Sequence, residues 1–108
     1  MVFCETMETI HKWFEEKQKE EYISKIKIEV VKDEADCFHV FFETLNCISE
    51  LVVNESNFAP YRWVCFQVMS VKNSTNSSPV FSFYDNSLDT IEEIINQLNI
   101  GIETMIFD

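Results

Sequence analysis

The side chains that could do chemistry in this sequence are two histidines, several serines and 19 carboxylates. Neither His11 nor His39 has an acid or a nucleophile beside it in the sequence. The G-x-S-x-G turn that presents a hydrolase nucleophile needs two glycines, and the chain has one. We therefore predict structural or surface histidines, no catalytic residue and no enzymatic activity.

Neighbouring carboxylates do not form the pair that acid–base catalysis needs. Residues 15–16 and 92–93 are adjacent glutamates in predicted helices. Successive helical side chains point about 100° apart, so the two groups cannot flank one substrate bond. The acidic turn at residues 33–36 lacks the glycine and the distal glutamate of an EF-hand loop. The sequence therefore predicts no metal site and no cofactor.

The cysteines indicate the compartment. Cys4, Cys37, Cys47 and Cys65 are widely spaced and include no C-x-x-C pair, which favours free thiols over a zinc site or a disulfide framework. Free thiols are typical of a reducing compartment. Glu5 stands where a secretion signal has basic residues, and no stretch approaches the roughly 20 apolar residues of a membrane span. We expect a cytoplasmic protein.

The net charge restricts the class of partner. Eight Lys and Arg residues against 19 Asp and Glu residues give a formal charge of -11. A field of this sign repels nucleic acid and anionic membranes, and it attracts cationic proteins. We expect a basic protein partner, no nucleic acid and no membrane, although the same charge could serve solubility alone.

Two helices are predicted, one near each end of a single domain spanning residues 1–108. The first has an apolar stripe at helical spacing, formed by Phe3, Met7, Ile10 and Phe14. The second is expected to follow capping residues 85–87 and to bury Leu88, Ile91, Ile95 and Leu98. Asn99 to Gly101 is expected to close this helix, because glycine accepts the left-handed conformation. Residues 102–108 would then form a short sixth strand or a packed tail.

Alternation of apolar and polar residues predicts strands between the two helices. The strands are expected at residues 26–30, 37–43, 47–53, 61–71 and 80–84, with a polar surface loop at 73–79. Strands in uninterrupted succession favour an antiparallel meander over parallel crossovers. We predict an α+β fold in which an antiparallel sheet of four to six strands carries an N-terminal and a C-terminal helix packed on one face.

Acidic and aromatic residues near the strands and the second helix are the candidates for a binding surface. Trp63 and Tyr84 offer amphipathic contact area, and carboxylates around them would resemble the surroundings of interface hot spots. Both aromatics could instead be core residues, and acids at a helix start are favoured by its dipole without any partner. The predicted partner-binding residues are Glu43, Glu50, Glu55, Trp63, Tyr84, Asp85, Asp89, Glu92 and Glu93.

Several segments resemble the immunity proteins of bacterial toxin systems, including those of contact-dependent growth inhibition, and most nearly the TriTu group. They are Trp13 in an opening Glu/Lys helix and residues 26–30, 40–43, 48–53 and 82–85 leading into 91–95. The resemblance covers about residues 10–98. It implies a cytosolic antidote that binds one cognate toxin, often a basic nuclease, and blocks its active site or its substrate surface.

Two other functions compete with this one. A secretion chaperone is also small, acidic and α+β, but it would hold an unfolded effector segment and dimerise through a helix, whereas the antidote is expected as a monomer or a weak homodimer. An enzyme whose substrate pocket forms only in the folded chain is the third possibility, and it would depend on His39.

Overall fold

The computed structural model describes residues 2–20, 24–55, 62–71, 79–86 and 88–107. Five strands follow one another between two helices, and each strand pairs antiparallel with the next in the order β1-β2-β3-β4-β5. The predicted α+β fold and antiparallel meander are confirmed. The elements are α1 (Phe3–Lys17), β1 (Lys27–Glu34), β2 (Cys37–Glu43), β3 (Cys47–Asn54), β4 (Val64–Ser70), β5 (Phe81–Tyr84) and α2 (Ile91–Phe107).

Helix α1 buries the apolar stripe that the sequence predicted. Phe14 of this helix packs edge-on against Phe38 and Phe42 of β2, with ring centroids 5.2 and 6.1 Å apart. Edge-to-face geometry of this kind adds to the free energy gained from burying the rings. The stripe residues Phe3, Met7, Ile10 and Phe14 are all buried, as is Trp13.

Helix α2 has different boundaries from those predicted. Its start is set by Thr90, whose hydroxyl accepts a hydrogen bond from the Glu93 backbone N–H at 3.1 Å. A threonine followed three residues later by a glutamate is a capping-box sequence. Leu88 precedes the helix and is 88% exposed, so the predicted inward role of Leu88 is wrong. The helix buries Ile94, Leu98, Gly101, Ile102 and Met105.

Gly101 lies inside α2 rather than at its end, which corrects the prediction of a helix stop and of a sixth strand or tail after it. No glycine in the described chain has a positive φ. A Cβ at this position would lie 2.5 Å from Cε2 of Phe66, so glycine is required by the close approach of α2 to β4. Residues 102–107 therefore continue as helix, and Ile102 and Met105 are buried in the core.

The two helices run side by side in the same direction across one face of the sheet. Glu5, near the start of α1, borders the same cavity as Ile91 at the start of α2. About two turns further along each helix, the Trp13 indole N–H donates to Oδ1 of Asn99 at 2.8 Å. This placement confirms that both helices cover a single face of the sheet.

The strand register decides which side chains the helices cover. Phe38, Val40 and Phe42 of β2 face the helices, and their cross-strand partners on the central strands face the same way. The core they form also contains Leu51, Val53, Val64, Phe66 and Val68. Because strand residues alternate between faces, the intervening residues form a second face that neither helix covers.

Some strand limits differ from the predicted ones. Strand β1 continues to Glu34 with a bulge between Val30 and Lys32, and β4 begins at Val64 rather than at residue 61. Residue 61 and most of the predicted polar loop at 73–79 lie outside the described residues.

Replacing Gly101 with alanine should destabilise the protein. Alanine favours helix by roughly 1 kcal/mol over glycine, but the new methyl group would overlap the fully buried Phe66 ring. We expect a net loss of about 1–3 kcal/mol in the free energy of unfolding, measured by urea denaturation. The exposed Asn96→Ala change in the same helix is the control and should alter it by less than about 0.5 kcal/mol. Equal or greater stability of Gly101→Ala would contradict the close packing.

Candidate functional site

The face of the sheet opposite the helices, called the open face, is the candidate site. Its composition is mixed, because half-exposed apolar side chains stand among charged ones. Ile48 is 38% exposed and Tyr84 is 42% exposed, although both lie on strands. By register, the open face consists of Lys27, Glu29, Lys32, Glu34, Cys37, His39, Phe41, Glu43, Ile48, Glu50, Val52, Asn54, Cys65, Gln67, Met69, Ser82 and Tyr84.

Phe41 stands at the centre of the acidic part of this face. It lies directly across from Glu29 on β1 and from Glu50 on β3, and Glu43 follows two residues later on the same side of β2. Three carboxylates therefore surround one half-buried aromatic ring. Directly opposed side chains in a sheet are about 5 Å apart at Cβ, and residues i and i+2 of one strand are about 7 Å apart, so all three carboxylates are within reach of a group bound over the ring.

Two shallow cavities meet at Phe41 and Ile48. One, of about 260 Å³, is lined by Lys27, Glu29, Phe41, Glu43 and Ile48. The other, of about 190 Å³, lies towards β4 and adds Glu50, Gln67 and Met69. An apolar floor with convergent polar groups at its margin is the usual form of a binding site.

His39 and Glu50 form a hydrogen-bonding contact on the open face. The His39 Nε2 and a carboxylate oxygen of Glu50 are 2.7 Å apart, and both side chains are partly exposed. The two residues are 11 positions apart in the sequence and meet only when β2 pairs with β3, so no local pattern predicts their contact. The alternation of apolar and polar residues in β2 and β3 indicates that His39 and Glu50 lie on the same face of the sheet. This pattern is the sequence signal that bears on their contact.

Cys65 is an open-face thiol on β4, directly across from Val52. Partial burial, and then the charge of Glu50, raise the pKa of the Cys65 thiol to about 11. The thiol is therefore protonated at neutral pH, and a protonated thiol is a poor nucleophile. The Cys65 thiol is therefore poorly suited to nucleophilic attack at neutral pH.

The nine predicted binding residues are divided by the fold rather than gathered in one patch. Glu43, Glu50 and Tyr84 lie on the open face, where the Tyr84 hydroxyl is hydrogen-bonded to the Gln67 amide. Glu55 follows β3 and is exposed, and its backbone N–H donates to the Asp36 carbonyl at 3.2 Å.

A second group of predicted residues lies at the start of α2. Asp89 and Glu92 border a cavity of about 550 Å³ together with Glu5, and Glu93 is exposed in the next position of the helix. Trp63 is half-buried against the core, with its ring 5.6 Å from that of Phe3 in edge-on contact. Asp89, Glu92 and Glu93, called the helix-start group, lie on the helix side of the sheet. A partner bound to the open face would therefore not contact them.

Asp85 has a structural position instead of the predicted surface one. Its side chain is 0% exposed. One carboxylate oxygen accepts backbone N–H bonds from Trp63 and Val64, each at 2.7 Å, and the other accepts from the Arg62 Nε at 3.2 Å. The carboxylate thus fixes the start of β4 against the end of β5, and it has no surface to offer a partner.

Comparisons with protein-family models, with curated proteins and with solved structures found no match. The described part of the chain contains no helix long and apolar enough to cross a membrane. Among the same residues, no three His, Cys, Asp or Glu side chains are placed to hold a metal ion. The candidate site must therefore be interpreted from its own geometry and charge.

Replacing Asp85 with alanine should reduce stability, because two buried backbone N–H groups and Arg62 lose their acceptor. We expect the free energy of unfolding to fall by about 3 kcal/mol, measured by urea denaturation. The exposed Glu103→Ala change removes the same charge and should shift it by less than about 0.5 kcal/mol. Similar stabilities of the two variants would show that Asp85 does not fix the strand ends.

Cys65 should resist alkylation at neutral pH. With a pKa of about 11, only about one thiol in 3,000 is ionised at pH 7.5. We expect iodoacetamide to modify Cys65 at least about tenfold more slowly than the exposed Cys4, measured by mass spectrometry of the two peptides. The Cys65 rate should continue to rise up to about pH 11, and a plateau at pH 9 would contradict the raised pKa.

Proposed function

We propose that this chain is a cytoplasmic immunity protein, which binds a cognate bacterial toxin through the open face of its sheet and neutralises it. The observation that carries the proposal is the half-exposed apolar row of Phe41, Ile48 and Met69, bordered by carboxylates on a face that the helices leave uncovered. The sequence resemblance to toxin immunity proteins agrees with this assignment.

The apolar row supplies contact area. Protein interfaces are commonly organised as an apolar centre within a polar rim, and a few central side chains carry most of the affinity. Phe41 and Ile48 border both cavities, so they occupy the central positions here. Glu43, Glu50 and Tyr84, which the sequence also indicated, take positions around them.

The negative net charge of the chain favours a positively charged partner. A protein of net charge -11 attracts a basic protein and increases the rate of encounter. A nuclease toxin has a basic surface that holds phosphates, and carboxylates spaced on a rigid sheet can occupy that surface in place of the substrate. Nucleic acid and anionic membranes are repelled by the same field.

The helix-start group has a different role in this proposal. Asp89, Glu92 and Glu93 lie on the helix side of the sheet, so they add to the long-range field without contacting the toxin. Acids in the first turn of α2 also stabilise that helix through its dipole. Of the nine residues predicted from sequence, the contact surface thus includes Glu43, Glu50 and Tyr84, which surround the apolar row.

The proposal is tested by coexpressing the chain with the polypeptide encoded beside it and purifying the complex. We expect a one-to-one complex by light scattering, and its affinity should fall as salt is added because charges are paired across the interface. Retention of unfolded peptides by a helix-mediated dimer would favour a secretion chaperone instead. A chain that retains no basic protein would contradict the proposal.

Phe41→Ala should weaken that complex at least tenfold, because a central aromatic anchor contributes about 2 kcal/mol or more. Dissociation constants from isothermal titration calorimetry provide the measurement. Phe107→Ala is the matched control, since Phe107 is 83% exposed at the end of α2 and should leave affinity unchanged within about twofold. A stronger effect at Phe107 than at Phe41 would place the interface on the helix side.

A further inference from the structure

We infer that the cavity beside Phe41 receives an arginine side chain of the partner protein. The inference rests on the proposed function and specifies the chemical group that the open face recognises. Phe41 forms the apolar floor of the cavity, and Glu29 and Glu43 stand at its margin on neighbouring strands. The cavity, of about 260 Å³, is open to solvent and is sized for a side chain rather than for a whole peptide segment.

The carboxylates at this cavity are available to a ligand. Among the described residues, the close contacts of carboxylates with lysine, arginine or histidine side chains involve Asp33, Glu20, Glu34, Glu50 and Asp85, and none of them involves Glu29 or Glu43. Lys27 is the one basic residue in the cavity lining and lies across from Glu43, but it is exposed on an edge strand. The lining therefore carries two carboxylates against one ammonium group.

Glu50 adds to the negative potential from the other side. It is directly opposite Phe41 on β3, so the ring has an acid across from it on each neighbouring strand. Its contact with His39 fixes the orientation of its side chain. A cation bound over Phe41 would thus have Glu29 on one side, Glu50 on the other and Glu43 at the end.

Arginine fits this arrangement better than lysine. A guanidinium group is planar and weakly hydrated, and it can stack on an aromatic face while donating paired hydrogen bonds to carboxylates in its plane. A lysine ammonium is more strongly hydrated and has no plane to stack. An aromatic floor with carboxylates at the sides complements the first group, and the open face provides both parts at one position.

Lys27 would compete with the arriving arginine, since it carries the same charge in the same cavity. Replacing it with glutamine removes the competitor and leaves a side chain of comparable length. The Lys27→Gln variant should therefore bind a guanidinium ligand more tightly than the unchanged protein, by about twofold or more. If the cavity does not bind a guanidinium group, the Lys27→Gln variant should show no increase in affinity for that ligand.

The test is a nuclear magnetic resonance titration of the full chain with N-acetyl-arginine amide, using N-acetyl-lysine amide at equal ionic strength for comparison. We expect the arginine compound to shift the amide signals of Phe41, Glu43 and Ile48 saturably, with at least fivefold higher affinity than the lysine compound. Equal affinity of the two compounds, or shifts that do not saturate, would overturn the inference.

Variants locate the bound group. Glu43→Gln should weaken arginine binding at least threefold, and Phe41→Leu should do the same while keeping an apolar floor. Glu92→Gln removes the same charge from the start of α2, outside the cavity, and is the control, which should weaken binding by less than about 1.5-fold through the screened long-range field. If Phe41→Leu alters the spectrum broadly, the exposed Glu43→Gln variant decides the result. Equal effects of Glu43→Gln and Glu92→Gln would mean that net charge alone attracts the probe.

The two proposals can fail separately. A complex with the neighbouring gene product that depends on Phe41, together with no arginine binding, would remove the arginine site and keep the immunity function. Saturable arginine binding without any retained protein would keep the site and remove the proposed partner.

Discussion

Burial of one face of the sheet beneath two parallel helices is the constraint on which the rest of the structure depends. Phe66 lies fully buried under α2, and Gly101 allows that helix to approach the sheet closely. Once these contacts are made, strand alternation directs Phe41, Ile48 and Glu50 to the opposite face. A one-residue shift in register would exchange the core and the candidate site, so the packing of the helices determines the surface offered to a partner.

Local periodicity predicted most of the fold, because the patterns of α1 and of β2 are set by residues close together in sequence. The end of α2 was misjudged, since Gly101 is explained by its distance to Phe66, which is 35 positions away. The candidate site was predicted less well for the same reason. The contact between His39 and Glu50 forms only when their strands pair. Asp85 is buried where its carboxylate accepts hydrogen bonds from the backbone N–H groups of Trp63 and Val64, and the pattern of side chains in the sequence does not show such bonds.

In the proposed function, the carboxylates act both at long range and in direct contact with the partner. The total charge acts over the whole molecule and determines which class of protein approaches, whereas the few carboxylates beside Phe41 act at contact and determine which group is held. Acids on α2, such as Glu92 and Glu93, contribute to the first effect and also stabilise their own helix. In the proposed function, net charge therefore bears on the class of partner and not on the position of the interface.

The central claim is that a basic protein binds on the side of the sheet away from the helices. A crystal structure of the chain in complex with the polypeptide encoded beside it tests this claim most directly. The account predicts that partner atoms lie within about 4 Å of Phe41 and Ile48, with a basic side chain between Glu29 and Glu43. A partner seated instead on α1 and α2, with the outer side of the sheet left in solvent, would contradict it.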